Sequence, residues 1–381
     1  MINQKIQILD STLREGEQTP GVSFSISQKI EILKMLNSFG VDFIEIGHPV
    51  VSMDIHSFIK NIAKINLRSK VIAHSRLLKQ DIDNVIELNI PWVGLFFDIC
   101  ESHLEKKYGI DEEKATNMIT ESIAYAKKNK LKVRFTIEDA SRASYKNMIK
   151  IAKIVEDSGA DRLSIADTIG ILHPLKVSDI FSRITSEINI PIHGHFHNDF
   201  GLATANALQA FQSGATCVDV TVNGLGERCG ISSLAEVTTS LDELFHVKNS
   251  WNFKMLNDIC SFVEHISEIK DNDTRPITGK NAFTHKAGLH VSSMIKDRTM
   301  YESVNPAKFN RERRFTIDKF SGKDALNYRM KKLSIQTSEE EIKQLLSIIK
   351  SKPEIKSWSD EKLVSLYQKV HNDRNLQVIG K

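Results

Sequence analysis

Cysteine is scarce in this 381-residue chain: the four present, Cys100, Cys217, Cys229 and Cys260, stand far apart and form no close pair. That spacing excludes a disulfide framework and a zinc ribbon, and fits ordinary thiols in a reducing compartment. Long apolar runs are missing too. The longest, residues 91–97, falls far short of the roughly 20 residues that span a bilayer, and the opening stretch MINQKIQILDSTLREGE is too polar for a signal peptide. A cytoplasmic protein with no membrane partner is therefore expected. Neither sign of charge dominates: 51 Lys and Arg face 48 Asp and Glu, a formal +3 with the 13 His neutral. Nothing resembles an arginine-rich arm or an acidic tail, so a nucleic-acid partner is not indicated.

What the chain does have is alternation. Strands are expected at residues 5–9, 42–46, 70–73, 92–97, 132–136, 162–166, 191–196 and 217–222, with amphipathic helical pattern between most of them. The joints repeat as well: Gly40, Gly159 and Gly214 each stand where a helix must stop before the next strand, and glycine tolerates the left-handed cap. One such helix is expected from about Ser27 as N-cap, with Ile30, Leu33 and Leu36 on its buried face. Strand-helix units at this count and length predict an α/β fold, a (β/α)8 TIM barrel over residues 1–245. A doubly wound open sheet is the alternative. After residue 245 the alternation stops, and residues 246–381 read as a mainly helical C-terminal region, with 338–350 patterned as an amphipathic helix.

In a barrel, side chains at the carboxyl ends of the strands surround one site. After the first strand comes Asp10-Ser11-Thr12-Leu13-Arg14-Glu15-Gly16-Glu17-Gln18, unusually charged for a segment next to an apolar strand. At the seventh, Ile192-His193-Gly194-His195-Phe196-His197 puts His195 and His197 two apart, on the same side of a strand. Two imidazoles can share one metal ion with a carboxylate and leave coordination positions open for substrate. An isolated His-x-His is more often a pair of satisfied histidines, so its place at a barrel mouth carries the argument. Arg134 and Glu138, near the end of the fifth strand, are candidates to bind a substrate carboxylate and to position a polar partner; the bland alternative is a surface ion pair. The segment NGLGERCG after the eighth strand lacks a P-loop Lys-Ser/Thr and the dinucleotide fingerprint, which argues against nucleotide hydrolysis and hydride transfer.

With these residues assembled, the chain resembles the barrel metalloenzymes that carry out acetyl-CoA-dependent Claisen condensation on 2-oxo acids. That family includes homocitrate synthase, 2-isopropylmalate synthase and citramalate synthase. The matching blocks are DSTLREGEQTPG, VRFTIEDASR, ADTIG, HFHNDFGLATANAL, NGLGERCG and NAFTHKAGLH. The resemblance implies Glu15, His195 and His197 as ligands of a divalent metal ion (Mg, Mn or Zn), and Arg14 beside the substrate keto oxygen. It also implies that Arg134 and Thr168 take up a carboxylate of the 2-oxo acid. His290 and Tyr301, in the C-terminal region, would reach the site of a neighbouring subunit in a homodimer or larger homo-oligomer, His290 as the base toward acetyl-CoA. Without the resemblance, His290 would read as an ordinary core or surface histidine.

For the 2-oxo acid itself, His74 stands where homocitrate synthases carry a histidine, which suits the distal carboxylate of 2-oxoglutarate, and Arg76 adds positive charge nearby. An apolar residue there would suit 2-oxoisovalerate. His-Leu-Glu-Lys-Lys at 103–107 and Lys319-Phe320-Ser321-Gly322-Lys323 look more like 2-isopropylmalate synthase. Homocitrate synthesis is the expectation, with 2-isopropylmalate or citramalate synthesis as alternatives, and an acyl-CoA lyase or a non-catalytic ligand sensor as more remote ones.

Overall fold

The computed structural model describes residues 6–62, 64–270 and 272–379, the stretch from 373 onward by its backbone alone. Eight parallel strands close into a barrel in sequence order: Gln7–Asp10 (β1), Phe43–Glu45 (β2), Lys70–Ser75 (β3), Trp92–Asp98 (β4), Lys132–Glu138 (β5), Arg162–Asp167 (β6), Ile192–Phe196 (β7) and Cys217–Val220 (β8). β1 pairs with β8 from Gln7 against Cys217 to Asp10 against Val220, which closes the ring. The expected α/β TIM barrel is thus the fold, and each expected strand has its counterpart. Lys5, part of the first expected strand, lies outside the described residues.

The helices between strands form where the sequence offers caps. Ser25, not Ser27, caps the helix Ile26–Phe39: Ser25 and Gln28 bond each other's backbone N–H reciprocally, a capping box that places Ser27 inside the first turn. Leu33 and Leu36 are buried as expected, together with Ile32 and Phe39, whereas Ile30 is only half-buried. The joint glycines Gly40, Gly159 and Gly214 all have left-handed φ, at 109°, 90° and 101°, where a Cβ would meet the following carbonyl oxygen.

The barrel interior is layered by the two-residue period of its strands. Leu9, Phe43, Ile72, Trp92 and Cys217 form one apolar cluster. Two residues further along the same strands or their ends come Ser11, Glu45, His74, Gly94 and Asp219, and the interior turns polar.

The chain divides into two compact units, Met1–Asp271 and Asn272–Lys381. The division falls beyond residue 245 because the helix Leu256–Ser267 is bound to the barrel. Asn252 N–H donates to Phe39 O at 2.8 Å, and Asn223 Nδ2 donates to Cys260 O at 2.8 Å. In the second unit the helices Gly288–Lys296, Lys323–Lys332, Glu339–Ser351 and Asp360–Ile379 accompany a two-stranded parallel sheet, Thr284–His285 with Arg314–Phe315. Val291, Met294, Phe315, Leu326, Leu345 and Ile349 are part of its core. Among the described residues no helix is long and apolar enough to cross a membrane.

Candidate active site

A cavity of ≈ 1000 Å³ in the first unit is lined by Arg14, Glu15, His74, Arg134, Glu138, Thr168, His195 and His197, among others. Every barrel residue expected to carry the chemistry therefore faces one space. Glu15, His195 and His197 are buried, and one ligand atom from each lies within 4.8 Å of the others. His197 Nε2 stands 3.9 Å from Glu15 Oε1, and its buried Nδ1 has no hydrogen-bond partner. An ion about 2.0–2.2 Å from each ligand leaves comparable gaps between them. Burial pushes the His197 pKa down, helped by the neighbouring His195, so its lone pair is available. Burial disfavours the Glu15 carboxylate, but Arg14 and the Glu227 backbone N–H outweigh it and hold the group ionised.

The loops complete this arrangement. His197 bridges to Ile231, and the backbone N–H of Glu227 donates to Glu15 Oε1 at 3.1 Å. Gly226 permits that approach: a Cβ there would sit 3.2 Å from both Cγ and Oε1 of Glu15. The NGLGERCG segment thus closes over the acid instead of cradling a phosphate.

Behind these three residues lies a network that the sequence did not reveal. Glu45, at the end of β2, accepts Ser11 Oγ at 2.6 Å and Arg14 Nε at 2.8 Å on one oxygen. Its other oxygen meets His74 Nδ1 at 2.9 Å and Arg134 NH1 at 3.4 Å. Arg134 also donates to Ser164 Oγ at 2.9 Å and to Asp219, leaving its buried Nε unpartnered. Arg14 reaches Glu15 through NH1. Burial alone would raise the Glu45 pKa, yet Arg14, His74 and Arg134 hold it well below the usual carboxylate range. His74 is pushed down to about 4 by burial against the pull of Glu45, and its ring stacks on Phe96 at 4.5 Å. Three carboxylates, Glu15, Glu45 and Asp219, thus share two guanidiniums, those of Arg14 and Arg134. The excess negative charge is buried, and a bound divalent cation would offset it.

Glu138 lines the cavity with one buried, unpartnered oxygen; burial raises its pKa, against Lys107 at 3.8 Å. Thr168 Oγ1 accepts Asp139 N–H at 2.8 Å. Arg76 does not add its charge to the cavity lining: it is forked onto Asp81 at 2.7 and 3.1 Å. His290 and Tyr301 belong to the second unit, where their rings stack with centroids 4.1 Å apart. Among the described residues, two other groups have metal-ligand composition, Cys100 with His103 and Asp139, and His193 with Cys217 and Asp219. In each, as at Glu15 with Arg14, the carboxylate is paired with a guanidinium: Asp139 with Arg142 and Asp219 with Arg134.

Residues 5–263 match the family model described as HMGL-like, and residues 277–357 match homocitrate synthase post-HMGL domain-like. The homocitrate synthase of Sulfurisphaera tokodaii is 44% identical over 371 residues, covering 96% of this chain and 80% of that protein. That of Sulfolobus acidocaldarius is 42% identical over 374 residues, 97% and 80% of the two chains. The chain belongs to the homocitrate synthase and 2-isopropylmalate synthase family. Members of this family are acetyl-CoA-dependent condensing enzymes, and this chain is one of them. Solved structures share its fold: the hydroxymethylglutaryl-CoA lyase of Pseudomonas aeruginosa has a TM-score of 0.64 at 20% identity, over 71% of this chain and 96% of that one. The carboxyl transferase domain of Rhizobium etli pyruvate carboxylase has a TM-score of 0.56 at 15% identity, over 69% and 47%.

In this condensing enzyme Glu45 and Asp219 are the buried residues that sequence reading missed. Their signal was a lone acid inside an apolar strand, Phe43-Ile44-Glu45-Ile46 and Cys217-Val218-Asp219-Val220, at the position where inward-facing residues reach the site. Glu45→Gln removes the buried carboxylate that Arg14, Arg134 and His74 all contact, and breaking buried pairs in this way typically costs about 3–5 kcal/mol. A depressed folded-state pKa gives stability that is present above the unfolded value and lost as pH falls through the folded one. Urea unfolding at pH 7 should therefore separate Glu45→Gln from the parent by about that amount, and the gap should narrow below the usual carboxylate range. Equal stabilities at pH 7 would refute the role given to Glu45.

Proposed function

We propose that this enzyme condenses acetyl-CoA with 2-oxoglutarate to give homocitrate and free CoA. The single observation that carries the choice of substrate is His74: it lines the cavity, is stacked on Phe96 and is hydrogen-bonded through Nδ1 to the Glu45 carboxylate. With Nδ1 donating to Glu45, the other ring nitrogen is left to the cavity, where protonation on substrate binding would let it donate to a distal carboxylate. An apolar isopropyl group would leave that polar edge unpaired. The 42–44% identical homocitrate synthases support the same reading.

The residues fit a divalent cation at Glu15, His195 and His197, with magnesium, manganese and zinc all compatible with two imidazoles and a carboxylate. Such an ion supplies Lewis acidity toward a keto oxygen. Arg134 and Thr168 bind the carboxylate next to the keto group, and Glu138 positions a polar partner. Arg14, aimed by Glu45 and Glu15, donates to the alkoxide that forms when the acetyl-CoA enolate adds to the keto carbon; its guanidinium keeps its charge throughout. The proton leaving the acetyl methyl goes to His290, oriented by Tyr301 and contributed by a neighbouring copy in a homodimer or larger assembly. Water then cleaves the thioester.

Free-thiol release, followed with a colour reagent while acetyl-CoA is mixed with a panel of 2-oxo acids, tests this directly. Release with 2-oxoglutarate is expected. Release with 2-oxoisovalerate or pyruvate alone would move the assignment to 2-isopropylmalate or citramalate synthesis, and silence with every acid would favour a lyase or sensor. His74→Leu should lower kcat/KM for 2-oxoglutarate about 10- to 100-fold, as expected for a charge-assisted hydrogen bond of about 1.5–3 kcal/mol. Arg14→Ala should lower kcat about 100- to 1000-fold while the barrel stays folded; a variant that keeps most of its turnover contradicts the role assigned to Arg14.

A further inference from the structure

β7 and β8 carry a hydrogen-bonded chain that none of the proposed reaction steps uses directly. Asp219 is fully buried, with Oδ2 3.1 Å from His195 Nδ1 and Oδ1 3.3 Å from His193 Nδ1. On the far side of His193, Arg162 NH1 stands 3.1 Å from Nε2. A guanidinium has donors and no acceptor, so His193 Nε2 must accept and carries no proton. The single proton of that imidazole is then on Nδ1, donated to Asp219. Arg134, paired with the same Asp219 oxygen that faces His195, keeps Asp219 a carboxylate, which can only accept. His195 must therefore donate from Nδ1, which leaves the lone pair of Nε2 free.

We infer that Asp219 is a positioning residue, itself set by His193 and Arg162, which holds His195 in the Nδ1–H tautomer and orients its ring so that Nε2 is offered beside Glu15 and His197. The inference rests on the reading of those three groups as a metal site. A histidine ligand whose second nitrogen donates to a carboxylate is both more basic and fixed in direction, and losing such a partner typically weakens metal binding about 10- to 100-fold. Burial makes the arrangement rigid: His193 and Asp219 have no solvent exposure, and His195 is 5% exposed.

Two measurements on the full-length chain test this. Mn²⁺ titration, followed through the EPR signal of the free ion, should give D219N a Kd about 10- to 100-fold above the parent's. Spectra of the metal-free parent labelled with ¹⁵N at histidine should show His193 and His195 both protonated at Nδ1 and bare at Nε2, with His195 losing that preference in D219N. A purely structural Asp219 would alter thermal stability and leave His195's tautomer unchanged. Matching Mn²⁺ affinities, or His195 protonated at Nε2 in the parent, would overturn the proposal. Should D219N not fold, the parent spectra stand without it, and H193Q, which removes one support of Asp219, should still weaken Mn²⁺ several-fold. No Mn²⁺ binding by the parent would strike the metal reading instead, and the tautomer of His195 would then decide the role of Asp219.

Discussion

Barrel closure is the constraint on which the site depends. Glu15 follows the first strand while His195 and His197 lie on and just past the seventh, and in an open sheet of this strand order they would stand at opposite edges. The pairing of β1 with β8, and of β8 with β7, brings them to neighbouring positions around the ring. The loops after β1 and β8 then lock the arrangement, through Glu227 N–H on Glu15 and the bridge between His197 and Ile231.

A second constraint is electrostatic. Charges can be buried this deeply only in mutual contact, and the polar layer above the apolar cluster at Leu9, Phe43 and Ile72 satisfies that with alternating acids and arginines. Arg14 is held between Glu45 and Glu15, and Arg134 between Glu45 and Asp219. Side chains fixed in this way before substrate arrives need little rearrangement when charge develops during reaction. The proposed recognition of 2-oxoglutarate draws on the same acid, since Glu45 is also the partner of His74 Nδ1. Binding, orientation and stability are coupled through one carboxylate.

The strands were legible because each is a short apolar run, three of them preceded by a helix-stopping glycine, and Gly40, Gly159 and Gly214 have the backbone geometry that this reading requires. The cap at Ser25 was misplaced by two residues because several serines could serve; the reciprocal partner Gln28 decides between them. Residues at strand ends were legible as site candidates since the fold itself directs them to one mouth, and Arg14, Glu15, His195 and His197 follow from that rule. Glu45 and Asp219 were not, because a single acid within a strand acquires its meaning only from arginines brought to it by other strands. Arg76 was misjudged for a related reason: proximity in sequence to His74 does not say which way the side chain turns, and Asp81 captures it. In the second unit, the helix Glu339–Ser351 follows from its amphipathic pattern, and the Ser338–Glu341 capping box fixes its start, whereas nothing local marks His290 and Tyr301 as a stacked pair.

The most direct test of the account is crystallographic: anomalous diffraction at the zinc edge from crystals of the full-length protein equilibrated with Zn²⁺. A single strong peak about 2.0–2.2 Å from one atom each of Glu15, His195 and His197 is the predicted result. A peak at Cys100, His103 and Asp139 with none at the barrel mouth, or no ordered peak within reach of all three groups, would contradict the claim that these residues jointly hold one ion.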